Sequence, residues 1–292
     1  MKRRFRIFKR FERMAPLEIA LHLFVSAIFL LLSLSYMYIL VWAIFAGFKT
    51  NTTIVMEPFK LPREWNWENY INVFSLLRVQ DNNFIDMILN SIWFVVGGTL
   101  LHHLSTCAFA YTCSKYKFPG SSWVYPIILV MITLPIYGNG GAAYRLYRSL
   151  GFVNSYSQIL TALGGFNAFF LYYTAYFKNL SWTYAEAAMM DGANDFMIYL
   201  RVYFPMAKPI FGALFLTNWV TNWNAYESQL LYQPQIPTLP VGIYQFSLEM
   251  SQQARMDILF AACVWASIPA IVLYTVFNKA ITTNVSLGGI KG

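Results

Sequence analysis

Long apolar blocks alternate with short polar stretches along almost the whole chain. They run over about Ile19–Phe48, Met87–Cys113, Trp123–Tyr144, Tyr156–Phe177, Pro209–Tyr232 and Asp257–Phe277. The blocks are continuous. A membrane barrel would instead need strands of about ten residues with alternating polarity. Runs of this length predict helices that cross an apolar layer about 30 Å thick. The first block, at about 1.5 Å per residue, exceeds that thickness and must tilt or project. The expected fold is an all-α, polytopic membrane protein with about six transmembrane helices.

Composition agrees with the pattern. Hydrophobic residues make up 58% of the chain and charged residues 12%, where soluble domains carry roughly 25% charged residues. The net charge of +8 has a topological cause and does not call for nucleic acid. Lys2, Arg3, Arg4, Arg6, Lys9, Arg10 and Arg13 precede the first block, opposed only by Glu12 and Glu18. This is the positive-inside signal, and it puts the N-terminus in the cytoplasm. With six spans both termini are cytoplasmic. Internal segments then hold 14 basic and 5 acidic residues, and the remainder 7 and 8. Residues 1–18 are expected to form a basic amphipathic segment on anionic lipid, 19–280 the transmembrane domain and 281–292 a cytoplasmic tail. The first block is too long for a signal-peptide core, so it reads as an uncleaved anchor.

Polar residues inside the blocks are the candidate chemistry. His102 and His103 are adjacent, hence about 100° apart on a helix, and suit hydrogen bonding better than a shared metal. Cys107, Cys113 and Cys263 form no C-x-x-C pair and read as small buried residues. Arg145 and Arg148, with Tyr144 and Tyr147, follow the third block on the external side. The fifth block is the most polar. Asn218, Asn222 and Gln229 share a helical face, beside a stripe of Trp219, Trp223 and Tyr226. Amides beside indole faces suit polyhydroxylated ligands, although packing between helices is an open alternative. The candidate substrate path is Asn218, Asn222, Trp223, Asn224 and Glu227.

Between the fourth and fifth blocks lies a charged elbow, Thr183 to Pro209. It reads as two short helices broken at Gly192. Thr183 and Glu186 have capping-box spacing. Asp195 is placed to cap the second helix, whose packing face is Phe196, Tyr199, Leu200, Tyr203 and Phe204. Pro205 is expected to end that helix.

No G-x-x-x-x-G-K-[ST] loop, G-x-S-x-G or H-E-x-x-H occurs, so neither nucleotide hydrolysis nor hydrolytic catalysis has a visible site. Glu186-Ala187-Ala188, Asp191-Gly192-Ala193, Val202, Phe204-Pro205 and Pro209 closely resemble the E-A-A loop of bacterial ABC importer permeases. The spacing matches throughout, with Val202 and Phe204 replacing the pattern's Ile and Leu. Asn90-Ser91, Trp223-Asn224 and Thr238-Leu239-Pro240-Val241-Gly242 resemble motifs of the carbohydrate-uptake branch. Gly288-Gly289-Ile290-Lys291-Gly292 is similar to the G-G-V-K-G tail of a maltose-importer permease. The length and the aromatic, Arg-bearing external loop are similar to the smaller permease of the alginate-oligosaccharide importer.

The resemblance implies a non-catalytic subunit in the bacterial inner membrane. It implies a second homologous permease as heterodimer partner, two cytoplasmic ATPase subunits that bind the ATP and Mg, and a periplasmic solute-binding protein that delivers a sugar. The elbow becomes a coupling helix that enters a cleft of the ATPase, through Glu186, Ala187, Ala188, Asp191, Gly192, Ala193 and Pro205. Gly289 and Lys291 would reach the ATPase interface. Two other classes remain open: a stand-alone secondary transporter or channel coupled through Glu227 and the histidines, and an intramembrane enzyme, for which no spacing signature exists.

Overall fold

A computed structural model of the chain describes residues 16–134, 138, 140–253 and 255–284. The basic segment before Pro16 and the tail with Gly289 and Lys291 lie outside the described residues. Helices dominate, and the described residues contain no strand beyond an isolated Val79–Asn82 bridge. The chain divides into two compact units. One comprises residues up to Tyr70 with Arg255–Val264, and the other Ile71–Ala254 with Trp265 onward.

The first unit is built on α1, Pro16–Gly47. No Pro or Gly interrupts it between its ends, so nothing breaks the helix. Its side chains are apolar all round and exposed from Leu17 to Val41. A helix apolar on every side, with no protein covering it, belongs in lipid. Its far end is held by the polar segment that follows, which carries the short helix α2 (Asn51–Met56) and leads into α3 (Glu68–Leu76). Asn69 Nδ2 donates to the carbonyls of Gly47 and Lys49, at 3.0 and 2.9 Å. Lys49 Nζ donates to the Glu57 carbonyl at 2.9 Å. The Phe48 ring is boxed by Trp65, Trp67 and Tyr70, with centroids 4.6 to 5.1 Å away. These contacts satisfy the free carbonyls at the helix end. Lys60 and Arg63 both pair with the Glu57 carboxylate, and the Lys60 bond first among them holds it below the ordinary carboxylate range.

The second unit is a bundle around α4, Phe84–Lys115. Asn83 and Asp86 form a capping box at its start, and residues Ile92–Gly97 wind as a π-helix. After it come α5 (Ser121–Thr133), α6 (Gly140–Ser149), a 3-10 turn (Tyr156–Ala162) and α7 (Ala168–Lys178). The elbow helix α8 is Thr183–Met190. Helix α9 then covers residues 195–224, with a π-helical stretch at Tyr199–Tyr203. Short α10 (Glu227–Tyr232), α11 (Leu239–Gln253) and α12 (Met256–Asn284) complete the chain.

Among the described residues three helices are long and apolar enough to cross a membrane by themselves: Pro16–Gly47, Phe84–Lys115 and Met256–Val276. The other expected spans are divided or polar. The third is split between α5 and α6. The fourth is a 3-10 turn, then five non-helical residues before α7. Asn167 caps α7 by accepting from Phe170 N, which starts a new helix where the apolar run predicted a continuous one. The fifth begins earlier than Pro209, because α9 does not stop at Pro205.

That continuation corrects the expected stop, and its cause is local. Phe204 N donates to the Tyr199 carbonyl five residues back. The wide turn carries the chain into Phe204–Asn224 with Pro205 in its first turn, where the missing N–H costs least. The same extra residue rotates the packing face. Ile198, Tyr199, Tyr203 and Ala207 are buried, whereas Phe196 and Leu200, expected inside, are 69% and 44% exposed.

Two motifs read separately in the sequence meet at the start of α4. Asn90 Nδ2 donates to the Pro237 carbonyl at 3.1 Å, and Leu239 N donates to Ser91 Oγ at 2.7 Å. Gly242 faces Met87, whose sulfur lies 2.1 Å from where a Cβ would stand. A side chain at this position would force Met87 to move.

Candidate functional site

The elbow is a turn between two capped helices, with caps other than those predicted. Residue 182, a tryptophan, precedes α8 without a side-chain cap. The backbone N–H of Thr183 donates instead to Ser181 Oγ, at 3.2 Å. Glu186 therefore forms no capping box. At the second helix Asn194, not Asp195, is the cap and accepts from Met197 N at 2.8 Å. Between the helices Gly192 has φ +81°, the left-handed region where glycine is uniquely unstrained.

Asp195 is thereby released for another partner. Tyr116 Oη donates to its Oδ1 at 2.9 Å. The neighbouring Lys115 Nζ donates to the Leu180 carbonyl at 2.5 Å and lies over the Tyr203 ring, 5.3 Å from its centroid. Tyr203 Oη donates to the Ser181 carbonyl at 3.0 Å. One helix end, that of α4, thus grips the chain before α8 and after Gly192. Burial first, and then the bond to the Asp195 carboxylate, raise the Tyr116 phenol above its ordinary range, while the bond to Tyr111 opposes them.

Beneath this grip lies a ring-rich core of Tyr111, Phe170, Tyr173, Phe177, Tyr199 and Tyr203, with Ala185 of α8 packed into it. The outer face of the elbow is open. Glu186, Ala187, Asp191 and Gly192 are exposed, Met190 is 89% exposed, and Ala188 and Ala193 are half-buried. Pro205 sits in the first turn of the Phe204–Asn224 segment. Of the elbow residues singled out in the sequence, Glu186, Ala187, Asp191 and Gly192 form one external ridge, Ala188 and Ala193 lean into the bundle, and Pro205 is exposed further along α9.

The second site is a cavity of about 260 Å³ at the other end of the same helix. Phe94, Val95, Gly98 and His102 of α4 line it, with Gln158, Ile159, Thr161 and Ala162 of the 3-10 turn. Asn218, Asn222, Ala225, Ser228 and Gln229 complete the wall. Asn222 Nδ2 donates to Thr99 Oγ1 at 3.0 Å, and Asn218 Nδ2 to His103 Nε2 at 3.3 Å. His103 Nδ1, then the protonated nitrogen, reaches Tyr173 Oη at 3.0 Å. The two histidines diverge: their rings are perpendicular, and His102 Nδ1 bonds the Ala162 carbonyl at 3.1 Å. The described residues contain no cluster of three metal-ligating side chains.

Three residues expected on the path stand elsewhere. Trp223 is buried and stacked on Trp219, and its Nε1 donates to the Ala266 carbonyl at 3.1 Å. Asn224 turns back to its own helix, donating to the Val220 carbonyl. Glu227 is exposed at the start of α10 and does not line the cavity. Asn218 and Asn222 do line it, one helical turn apart. His102, Gln158, Thr161 and Gln229 join them from distant segments. Gln229 Oε1 is buried without a hydrogen-bond partner, an acceptor that calls for a donor from a ligand or water. No carboxylate or ammonium lines this cavity.

A model of the family described as binding-protein-dependent transport system inner membrane component matches residues 106–286. The chain is 29% identical over 255 residues to a diacetylchitobiose uptake system permease protein of Streptomyces coelicolor, covering 85% of this chain and 82% of that one. It is 24% identical over 280 residues to an arabinooligosaccharides transport system permease protein of Bacillus subtilis, covering 94% and 96%. In fold it is similar to a chain in the crystal structure of a bacterial ABC transporter involved in import of the acidic polysaccharide alginate. There the TM-score is 0.75 at 22% identity, covering 91% of this chain and 98% of the other.

Proposed function

The chain belongs to the family of binding-protein-dependent transport system inner membrane components, and we propose that it is a permease subunit of an ATP-driven ABC importer for an oligosaccharide. The observation that carries this reading is the elbow. It offers an exposed Glu186–Gly192 ridge on a rigid aromatic base, in a sequence without a nucleotide-binding loop. ATP and Mg then belong to two cytoplasmic ATPase subunits, and the ridge is the surface that enters their clefts. A second permease completes the translocation path, and a periplasmic binding protein supplies the sugar.

The proposed topology is multi-pass in the inner membrane with six crossings and both termini in the cytoplasm. It makes crossings of the divided and polar segments as well as of the three apolar helices. The charge asymmetry supports this orientation. Cysteine-labelling from each side of the membrane tests it: label at Gly120 and Gly192 must come from the same side, opposite to that reaching Arg148.

The cavity fits the sugar part of the reading. Its amide, hydroxyl and imidazole groups can exchange hydrogen bonds with hydroxyls, and its uncharged lining favours a neutral saccharide. A stand-alone ion-coupled transporter would call for a carboxylate there, and Glu227 lies outside the lining. The decisive test is Gly192→Pro in the reconstituted complex. Proline needs φ near −65° where this backbone is at +81°. The expected outcome is a membrane-inserted complex that hydrolyses ATP but takes up no sugar. Wild-type uptake by this variant would remove the elbow from the coupling.

A further inference from the structure

A second polar cavity, of about 280 Å³, lies beside the elbow grip and has no part in the sugar path. Its walls come from three segments. Lys115 ends α4 and Lys117 follows it, Ser121 and Ser122 begin α5, and Thr174 and Lys178 come from the last turns of α7. Three lysines line the cavity, no carboxylate does, and none of the three is in an ion pair among the described residues; Lys115 Nζ is held by the Leu180 carbonyl, and Lys178 Nζ lies over the Tyr125 ring, 5.0 Å from its centroid. Asp195, which the lining residue Tyr116 reaches, is taken by that bond.

Two further features ask for an anion with several acceptor oxygens. Thr174 is 2% exposed, lines the cavity, and its hydroxyl has no hydrogen-bond partner. At the start of α5 the Ser121 and Trp123 N–H groups are taken by the Phe118 and Gly120 carbonyls, and the donors this helix end offers the cavity are the Ser121 and Ser122 side chains. Like charges gathered without counter-charge are costly, and an anion would offset that cost. Next to the site, α5 exposes Trp123, Ile127 and Val130, an apolar flank along which an acyl chain can lie.

We infer that this cavity binds a phosphate group, carried either by an anionic lipid or by a free phosphate. Because Lys115 and Tyr116 belong both to this cavity and to the grip on the elbow, the bound anion would steady the elbow's base. The inference does not depend on which sugar is carried or on the transport cycle.

The test uses the purified full-length chain in its complex. Native mass spectrometry measures retention of phosphatidylglycerol against phosphatidylcholine, and ³¹P line broadening measures inorganic phosphate. Wild type is compared with Lys117→Gln/Lys178→Gln, Lys117→Arg/Lys178→Arg and Thr174→Val. Both substituted lysines are exposed, so the glutamine pair should fold, and an unchanged melting temperature verifies it. The expected result is anion binding about tenfold weaker in the glutamine pair and recovered in the arginine pair. Loss confined to phosphatidylglycerol identifies a lipid headgroup; loss confined to inorganic phosphate identifies a free anion. Equal binding of both anions by wild type and the glutamine pair overturns the site.

Discussion

At its Lys115 end, α4 is packed into rings. Tyr111 contacts Tyr116, Phe177, Tyr199 and Tyr203, with centroids 4.9 to 5.8 Å apart. At its Ile92–His102 end the same helix borders a cavity. There the contacts are amide and hydroxyl hydrogen bonds, and the neighbouring backbone is a π-helix and a 3-10 turn. Gly98 and Lys115 are about 25 Å apart along the axis. A dense end transmits displacement because packed aromatic side chains cannot deform by small amounts. A cavity end can accept a ligand because its polar groups have room and partners to exchange. Under the proposed function, the elbow end would carry stability and the cavity end selectivity.

The largest expected effect breaks the dense end. Tyr203→Ala removes a fully buried ring together with its bond to Ser181 and should cost about 3–5 kcal/mol. Thermal unfolding in detergent would show a clear fall, and an unchanged midpoint would mean that the elbow is not seated on this core. Tyr116→Phe keeps the ring and removes the donor to Asp195 together with the longer hydroxyl bond to Tyr111, at 3.3 Å. A loss of about 1 kcal/mol is expected, with faster backbone amide exchange at residues 195–199. Asn222→Ala should be the mildest for stability, about 0.6 kcal/mol, the usual scale of a hydrogen bond between membrane helices. Its effect should appear instead in transport, as a half-saturation concentration raised about fivefold. A change in stability larger than that of Tyr116→Phe, without a change in uptake, would reverse the assignment of the two ends.

The elbow was legible in detail that the cavity was not. A single chain segment forms it, and Gly192 announces its turn because no other residue adopts φ +81° without strain. Its caps were less legible. Asn194 and Asp195 are both good caps, and the choice depends on Tyr116, 79 residues away. The packing face was displaced for a different reason. Periodicity assumes 3.6 residues per turn, and the π-stretch at Tyr199–Tyr203 adds one residue, so Phe196 and Leu200 turn outward.

The cavity shows the opposite balance. Asn218 and Asn222, four residues apart on one helix, were visible as a polar stripe in an apolar block. Trp223 and Asn224 adjoin them in sequence but face other surfaces, since successive residues of a helix point about 100° apart. Gln158 and Thr161 carried no signal. They sat in an apolar run that read as a span, and only the break before Asn167 brings their turn against α4.

Sequence alone determined that this chain lives in a membrane, where its charges lie, and that a charged elbow with a glycine turn interrupts the apolar blocks. Those properties follow from composition and local backbone preference, which act at short range. Tertiary structure decided which helices stay whole, which cap is used, which amides face a cavity, and that three lysines from separate segments meet around Thr174. Apart from the local wide turn that carries α9 past Pro205, these depend on partners brought together from distant segments, as in the Asn167–Thr106 and Lys115–Leu180 bonds, and no local pattern encodes that proximity.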